Sequence, residues 1–244
     1  MRIAAITDIH ANLPALEAVL AATDSVGVDE IWCLGDLVGY GVEPDACADL
    51  ARERCEVCLV GNHDLAVLGA LDIASFSEAA AAAVEWTRDN ASERTLEFLR
   101  ELEPKGERAG LGLFHASPRD PVWEYVLSSE QAAAGMDAHS QRIALIGHSH
   151  VALFFNRPGD GGDTRGAQAS DGALLELGRG SWLINPGSVG QPRDGDPRAA
   201  WLELDLEAET ARYHRVPYEI DRAAEPIAAA GLPSRLADRL YTGQ

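Results

Sequence analysis

Two histidines with one small residue between them stand where the apolar run Ile143–Ile146 breaks, in Gly147-His148-Ser149-His150. In extended backbone, residues two apart point to the same side, so both imidazoles would face one point; on a helix they would diverge by more than half a turn. A pair of imidazoles at the end of a buried strand is a donor set for a metal ion. Three more of the seven histidines, His10, His63 and His115, also follow strand-like runs, and Asp8, Asp36, Asn62 and Asp64 lie in the same or similar loops. The chemistry these residues suggest is metal-centred, provided the fold brings the loops together.

The elements that would do so repeat strand, short loop, helix through the first half. Residues 2–7 form an apolar strand that ends in Thr7-Asp8-Ile9-His10-Ala11-Asn12. Helical spacing begins at Leu13, with Asn12 as N-cap and Pro14 in the first turn. Glu30–Leu34 is a strand running into Gly35-Asp36, a helix follows over Pro44–Arg54, and a strand over 55–60 runs into Gly61-Asn62-His63-Asp64. Ser75 to Glu78 and Asn90 to Glu93 read as capping boxes that open two helices, the second ending near Pro104. The strand Leu111–Phe114 leads to His115, and a helix over Ser129–Met136 precedes the strand that leads to His148. In open α/β sheets ligands bind where the strands end, and five of the seven histidines occupy such places.

After Val151 the pattern changes. Runs near 173–178, 181–185, 199–206 and 211–217 alternate apolar and polar residues as an antiparallel sheet would. Gly159–Gly172 reads as a mobile hairpin loop, Asn185–Arg198 as a long shaped loop, and 221–240 as one or two short helices. No repeat or linker interrupts the chain, which predicts one domain over 1–244.

Composition narrows the function classes. The 244 residues are 46% apolar and carry a formal net charge of -19, which argues against a nucleic-acid polymer or an anionic membrane as partner. No stretch is long enough to span a bilayer, and Met1 runs directly into the first strand with no signal segment, so a cytoplasmic protein is expected. Cys33, Cys47, Cys55 and Cys58 read as small packing residues in a reducing compartment. The spacing Cys55-Glu-Val-Cys58 lies in a strand-like run, where an offset of three puts the thiols on opposite faces.

Asp8-Ile9-His10, Gly35-Asp36, Gly61-Asn62-His63-Asp64, His115 and Gly147-His148-Ser149-His150, in that order, resemble the calcineurin-like metallophosphoesterase superfamily over about the first 150 residues. The Asn185–Arg198 loop resembles one found in bacterial members related to diadenosine tetraphosphatases and protein phosphatases. One departure is Gly39, where protein phosphatases often carry a further acidic residue. The resemblance implies an α/β fold: a four-layer α/β/β/α sandwich of two mixed β-sheets flanked by helices. It also implies two divalent metal ions, the first held by Asp8, His10, Asp36 and His150 and the second by Asp36, Asn62, His115 and His148. Such a donor set suits Mn, Fe, Zn or Ni better than Ca. A pair of ions of that kind can bind a bridging water, lower its pKa and hold phosphoryl oxygens for in-line displacement, and their positive charge would reverse the local field of an acidic chain. The implied general acid is His63, with Asp64 holding its imidazole in the right tautomer.

Asn12 and Arg193 are candidates for contact with substrate phosphate, against loop-shaping hydrogen bonds for Asn12 and a solvated guanidinium for Arg193. The aromatic residues Trp123 and Tyr125 could stack on a base or aryl group, or pack internally. His139 and His214 fall outside the pattern. The expected function is hydrolysis of a small phosphoester, either a phosphodiester or a nucleotide-like compound. The alternative is a catalytically silent scaffold of the same fold, which should have lost ligands or the acid histidine. An exposed edge among the late strands could pair two copies into a homo-oligomer.

Overall fold

A computed structural model describes residues 1–244. The first half contains β1 (Arg2–Ile6), α1 (Leu13–Val26), β2 (Glu30–Cys33), α2 (Pro44–Arg54) and β3 (Val57–Cys58). It continues with α3 (Asn62–Val67), α4 (Glu78–Asn90), α5 (Glu93–Arg100), β4 (Lys105–Arg108), β5 (Leu111–Phe114), α6 (Ser129–Asp137) and β6 (Ile143–Leu145). Then follow β7 (Ala152–Arg157), β8 (Arg165–Gln168), β9 (Leu174–Glu176), β10 (Ser181–Pro186), β11 (Ala199–Asp205) and β12 (Thr210–Val216). The helices α7 (Ile220–Ala229) and α8 (Arg235–Asp238) come last.

The strands form two six-stranded mixed sheets, ordered β3-β2-β1-β11-β12-β9 and β4-β5-β6-β10-β7-β8. The period of two along β1 explains how they stack. Ile3 and Ala5 face the opposite sheet, in a core with Trp32, Leu34, Leu145 and Ile184. Ala4 and Ile6 face outward and pack under Leu16 and Val19 of α1. On the far side, Ala132 and Met136 of α6 cover Ala144 and Leu183. The layers are therefore helix, sheet, sheet, helix, as expected.

The ends of α1 follow from its sequence. The Asn12 side chain accepts from the Ala15 amide, Pro14 sits in the first turn, and Gly27 closes the helix at φ 74. The helices α4 and α5 start later than the capping boxes suggested. Ser77 and Ser92 are the N-caps, because the Ser75 hydroxyl is bonded to the Asp72 carbonyl and the Asn90 amide to the Trp86 carbonyl. The strand expected over 55–60 shrinks to two residues. Cys55 belongs to the end of α2, so the opposite-faces argument does not apply to it. All four cysteines are free, and Cys33 lies opposite Cys58 in the β2–β3 register.

The late strands do not form a sheet of their own. They are shared between the two sheets, and β10 pairs parallel with β6 on one side and antiparallel with β7 on the other. The elements β4, β7 and α3 were not expected, and β8 lies inside the segment read as a mobile loop. Every residue of β8 is exposed, so its sequence carries no burial alternation to detect. No helix is long and apolar enough to cross a membrane.

Residues from β1, β2 and β3 meet residues from β5 and β6 at one rim of the sandwich. The sheets approach closely there at Gly147, where an added Cβ would lie 2.2 Å from the Thr7 hydroxyl oxygen. Gly147→Ala should therefore force the sheets apart at that rim and cost at least about 1–3 kcal/mol, as overpacking does. Chemical denaturation would read the loss, and an unchanged midpoint would contradict this close approach.

Candidate metal centre

Seven of the nine non-glycine residues with left-handed backbone lie at this rim: Asp8, His10, Ala11, Asp36, Tyr40, His148 and His150, with φ between 50 and 64. Such conformations cost energy and persist only where the surroundings enforce them, which concentrates them at functional sites. His148 and His150 are thus not in extended backbone, and they do not face one point. His150 groups with Asp8, His10 and Asp36, whereas His148 groups with Asp36 and His115. Within each group the potential donor atoms all lie within 4.8 Å of one another. Asp36 belongs to both.

The distances show how the sharing works. Asp36 Oδ2 is 3.6 Å from His10 Nε2 and 3.6 Å from His115 Nε2. Asp8 Oδ1 is 3.5 Å from His150 Nε2. Asn62 Oδ1 lies 3.2 Å from His115 Nε2 and adds an amide oxygen to the second group. The other oxygen of each carboxylate is anchored: Asp36 Oδ1 accepts from the His63 amide at 2.8 Å, and Asp8 Oδ2 from the His148 amide at 3.1 Å.

The tautomers are fixed by the backbone. Nδ1 of His10, His115 and His150 donates to the carbonyls of Val38, Leu34 and Gln191, at 3.1, 3.0 and 2.6 Å. A carbonyl only accepts, so each Nδ1 carries the proton and each Nε2 presents a lone pair to the centre. The Nε2 atoms of His10 and His150 are 3.1 Å apart, and two lone pairs facing each other at that distance repel unless they share a cation. Asp8 Oδ1, Asp36 Oδ2 and His148 Nε2 are buried without any hydrogen-bond partner. Buried polar atoms are ordinarily satisfied, so these orphans and the aimed lone pairs fit a pair of divalent ions.

The charge balance agrees. Burial pushes Asp8 up to about 7 and Asp36 well above the usual carboxylate range, the latter with help from the neighbouring Asp64 and Asp8 charges. Burial also holds His10, His63, His115 and His150 well below their ordinary value and lowers His148 to about 4. Without cations this has a measurable cost. A carboxyl raised on folding contributes stability below its unfolded pKa and loses it as pH rises through the folded value; a lowered histidine loses stability as pH falls below about 6.5. Above about pH 7.5 the histidines are neutral in both states, and of these groups only the carboxyls, Asp36 above all, are still titrating. The melting temperature of chelator-stripped protein should therefore fall between about pH 7.5 and 9, and added divalent ion should restore it. A flat profile in chelator would contradict this.

His63 lies beside the centre and outside both donor groups. Its ring packs against Tyr40, His10 and Phe76, with centroids 4.3, 4.9 and 5.1 Å away, and its buried Nδ1 has no partner. Asp64 does not hold that ring. Its two carboxylate oxygens accept from the Val38 and Gly61 amides at 3.0 and 2.9 Å, tying the second loop to the third. A carboxylate with two backbone donors beside it is spent before it can reach the imidazole.

Asn12 is corrected in the same way. Its side-chain oxygen caps α1, and its nitrogen donates to the Gly190 carbonyl at 2.8 Å and the Tyr218 hydroxyl at 3.2 Å, which leaves nothing for a phosphate. Asn12→Ala should cost about 1 kcal/mol of stability through the lost cap, read by thermal melting, and should leave substrate KM within about twofold. A KM rise without destabilisation would return it to the substrate side.

Arg193 is brought to the centre by the late loop, whose Val189, Gly190 and Arg193 amides bond the carbonyls of Thr7, Asp8 and His150. Its Nη2 donates to Gln191 Oε1 and to the Tyr40 hydroxyl, while its buried Nε is unpartnered. Tyr40 was missed by sequence reasoning, although flanking by Gly39 and Gly41 is a signal of a special backbone. A Cβ at Gly39 would lie 2.7 Å from His63 Nδ1, so glycine is needed there for the His63 ring to fit. The carbonyls that orient the imidazoles carry no signal in sequence. His214 stacks on Trp201 at 4.2 Å, and His139 lies 5.7 Å from Phe114; neither is a member of a donor group.

A family model described as the calcineurin-like phosphoesterase superfamily domain matches residues 1–207. The uncharacterized protein MJ0912 of Methanocaldococcus jannaschii is 35% identical over 99% of this chain and 98% of its own length. The crystal structure of a metallophosphoesterase from Sphaerobacter thermophilus is similar at 38% identity and a TM-score of 0.89, covering 100% of this chain and 99% of that one. A hypothetical protein, PH1004 of Pyrococcus horikoshii, shares the fold at 19% identity and a TM-score of 0.78, covering 100% of this chain and 98% of that one.

Proposed function

The chain belongs to the calcineurin-like phosphoesterase superfamily, and from that premise we propose that it hydrolyses a phosphodiester or nucleotide-like ester at a dinuclear centre built on Asp36. The observation that carries this reading is the equal 3.6 Å reach of Asp36 Oδ2 to one imidazole of each donor group. Asp8, His10, Asp36 and His150 would hold one ion, and Asp36, Asn62, His115 and His148 the other. Two bound ions of the Mn, Fe, Zn or Ni type supply Lewis acidity, which ionises water near neutral pH and offsets phosphoryl charge.

The chain's own groups do the rest. Arg193, with a free Nε and a guanidinium fixed by Tyr40 and Gln191, orients the phosphoryl oxygens. His63 gives a proton to the departing oxygen. Burial holds His63 low, and an anionic ester beside it favours the protonated ring and opposes that shift. The burial of His10, His63, His115, His148 and His150 keeps bulk water from competing for the reacting group.

The test is a metal-by-substrate panel. Chelated protein should regain turnover with one or more of Mn, Fe, Zn and Ni, measured on bis-nitrophenyl phosphate, nitrophenyl phosphate and a dinucleoside polyphosphate. The diester or the dinucleoside compound should be preferred over the monoester. If none of the three loses phosphate or alcohol with any of these ions, the reading fails.

A further inference from the structure

An aromatic ledge borders one side of the centre. Phe76 lies 5.1 Å from the His63 ring and 5.1 Å from Trp123, and Trp123 and Tyr125 lie 6.4 and 4.2 Å from His148. Tyr125 is 43% exposed, although the histidines around the centre are buried. The segment that carries it is fixed. Asp120 Oδ1 accepts from the Val122 and Trp123 amides, both at 3.1 Å, and Glu124 is held by the Ser117 hydroxyl and by Arg119. A rigid, partly exposed aromatic surface beside a charged centre is a stacking platform with an open face.

The two sides of the centre differ in chemistry. Arg193 is fixed by Tyr40 and Gln191, neither of which belongs to the ledge. A phosphoryl group clamped by Arg193 and protonated by His63 on its departing oxygen must direct the departing alcohol past His63, toward Phe76 and Trp123. We propose that Trp123 and Tyr125 stack on a flat ring carried by the leaving group, so that the substrate is an ester of a nucleoside or a comparable aryl-bearing alcohol. This rests on the hydrolytic reading above. In the step, water forms the new P–O bond and loses a proton to solvent, the P–O bond to the ring-bearing alcohol breaks, and the His63 proton ends on that alcohol, after which solvent returns a proton to His63.

Two measurements test it. The first compares kcat/KM on phosphodiesters with a benzyl or a cyclohexylmethyl leaving alcohol, which are of similar basicity, because only the flat ring can stack. The benzyl-to-cyclohexylmethyl preference should fall about 10-fold in Tyr125→Leu and in Trp123→Leu, the size of one lost stack, and stay within about twofold in Tyr241→Leu, another exposed tyrosine. An unchanged preference in both ledge variants overturns the proposal, and so does equal loss on both esters, which marks a purely structural role.

The second is equilibrium binding to the metal-loaded protein. Adenosine 5′-monophosphate should bind about 10-fold more tightly than ribose 5-phosphate, and Tyr125→Leu should erase that advantage. Equal affinities in the unaltered protein overturn the ledge. Binding needs no turnover, so a protein that prefers the nucleotide but cleaves neither diester supports the ledge and removes the hydrolytic reading. A protein that cleaves both without preference does the reverse.

Discussion

Asp36→Asn should lower turnover by on the order of 10³-fold while leaving the fold intact. The substitution preserves shape, and the amide oxygen can still accept from the His63 backbone amide as Asp36 Oδ1 does. What disappears is the negative charge on the one oxygen that reaches both donor groups. Each group then loses an anionic donor, so the damage reaches both ions at once. The metal-free protein should respond in the opposite direction. Burial and the neighbouring carboxylates push Asp36 well above the ordinary range, which means that its ionised form destabilises the empty fold near neutral pH. Asp36→Asn in chelator should therefore melt at or above the unaltered protein, whereas the rise in melting temperature on adding metal should shrink sharply. Metal analysis and two melting curves decide it. Full retention of two ions in Asp36→Asn would refute the shared-ligand geometry.

His63→Ala should show the second large effect, and its signature is selectivity. A general acid contributes about 10²- to 10⁴-fold when the departing oxygen is strongly basic, and much less when that oxygen leaves readily without a proton. Esters of alkyl alcohols should therefore lose two or more orders of magnitude, with nitrophenyl esters affected far less. The ring is not a member of either donor group, so metal content should hold. Equal losses on both ester types would point to a charge contact with the phosphate and away from proton donation.

Much of this was legible in the sequence because strand ends carried the chemistry. The runs that became β1, β2, β5 and β6 are apolar and end in glycine, aspartate or histidine, and the loop after the shortened β3 brought Asn62 and His63 to the same rim. Which residues of β1 face helices and which the second sheet was not legible, because Ile3–Ile6 is apolar on both faces. Other features had no local signature. β8 is fully exposed, so its pairing is decided by the neighbouring strand β7. Asp64 reads like a partner for His63 by adjacency, yet two backbone amides claim it first. The same holds for Asn12, whose three bonds join its own helix start, the late loop at Gly190 and Tyr218. Asp64 and Asn12 each combine a local capping bond with a long-range one, to Val38 and to Gly190, and residue type alone does not contain the latter.

The donor residues are divided between the sheets: Asp8, His10, Asp36 and Asn62 come from the β1–β3 side, and His115, His148 and His150 from the β5–β6 side. The oily filling of Trp32, Leu34, Leu145 and Ile184 between those sheets is thus a shim that sets how far apart the two donor groups sit. Thinning or thickening it would change the gauge of that rim without touching a single donor atom, so the greasiest residues of the molecule also help to shape its most polar site.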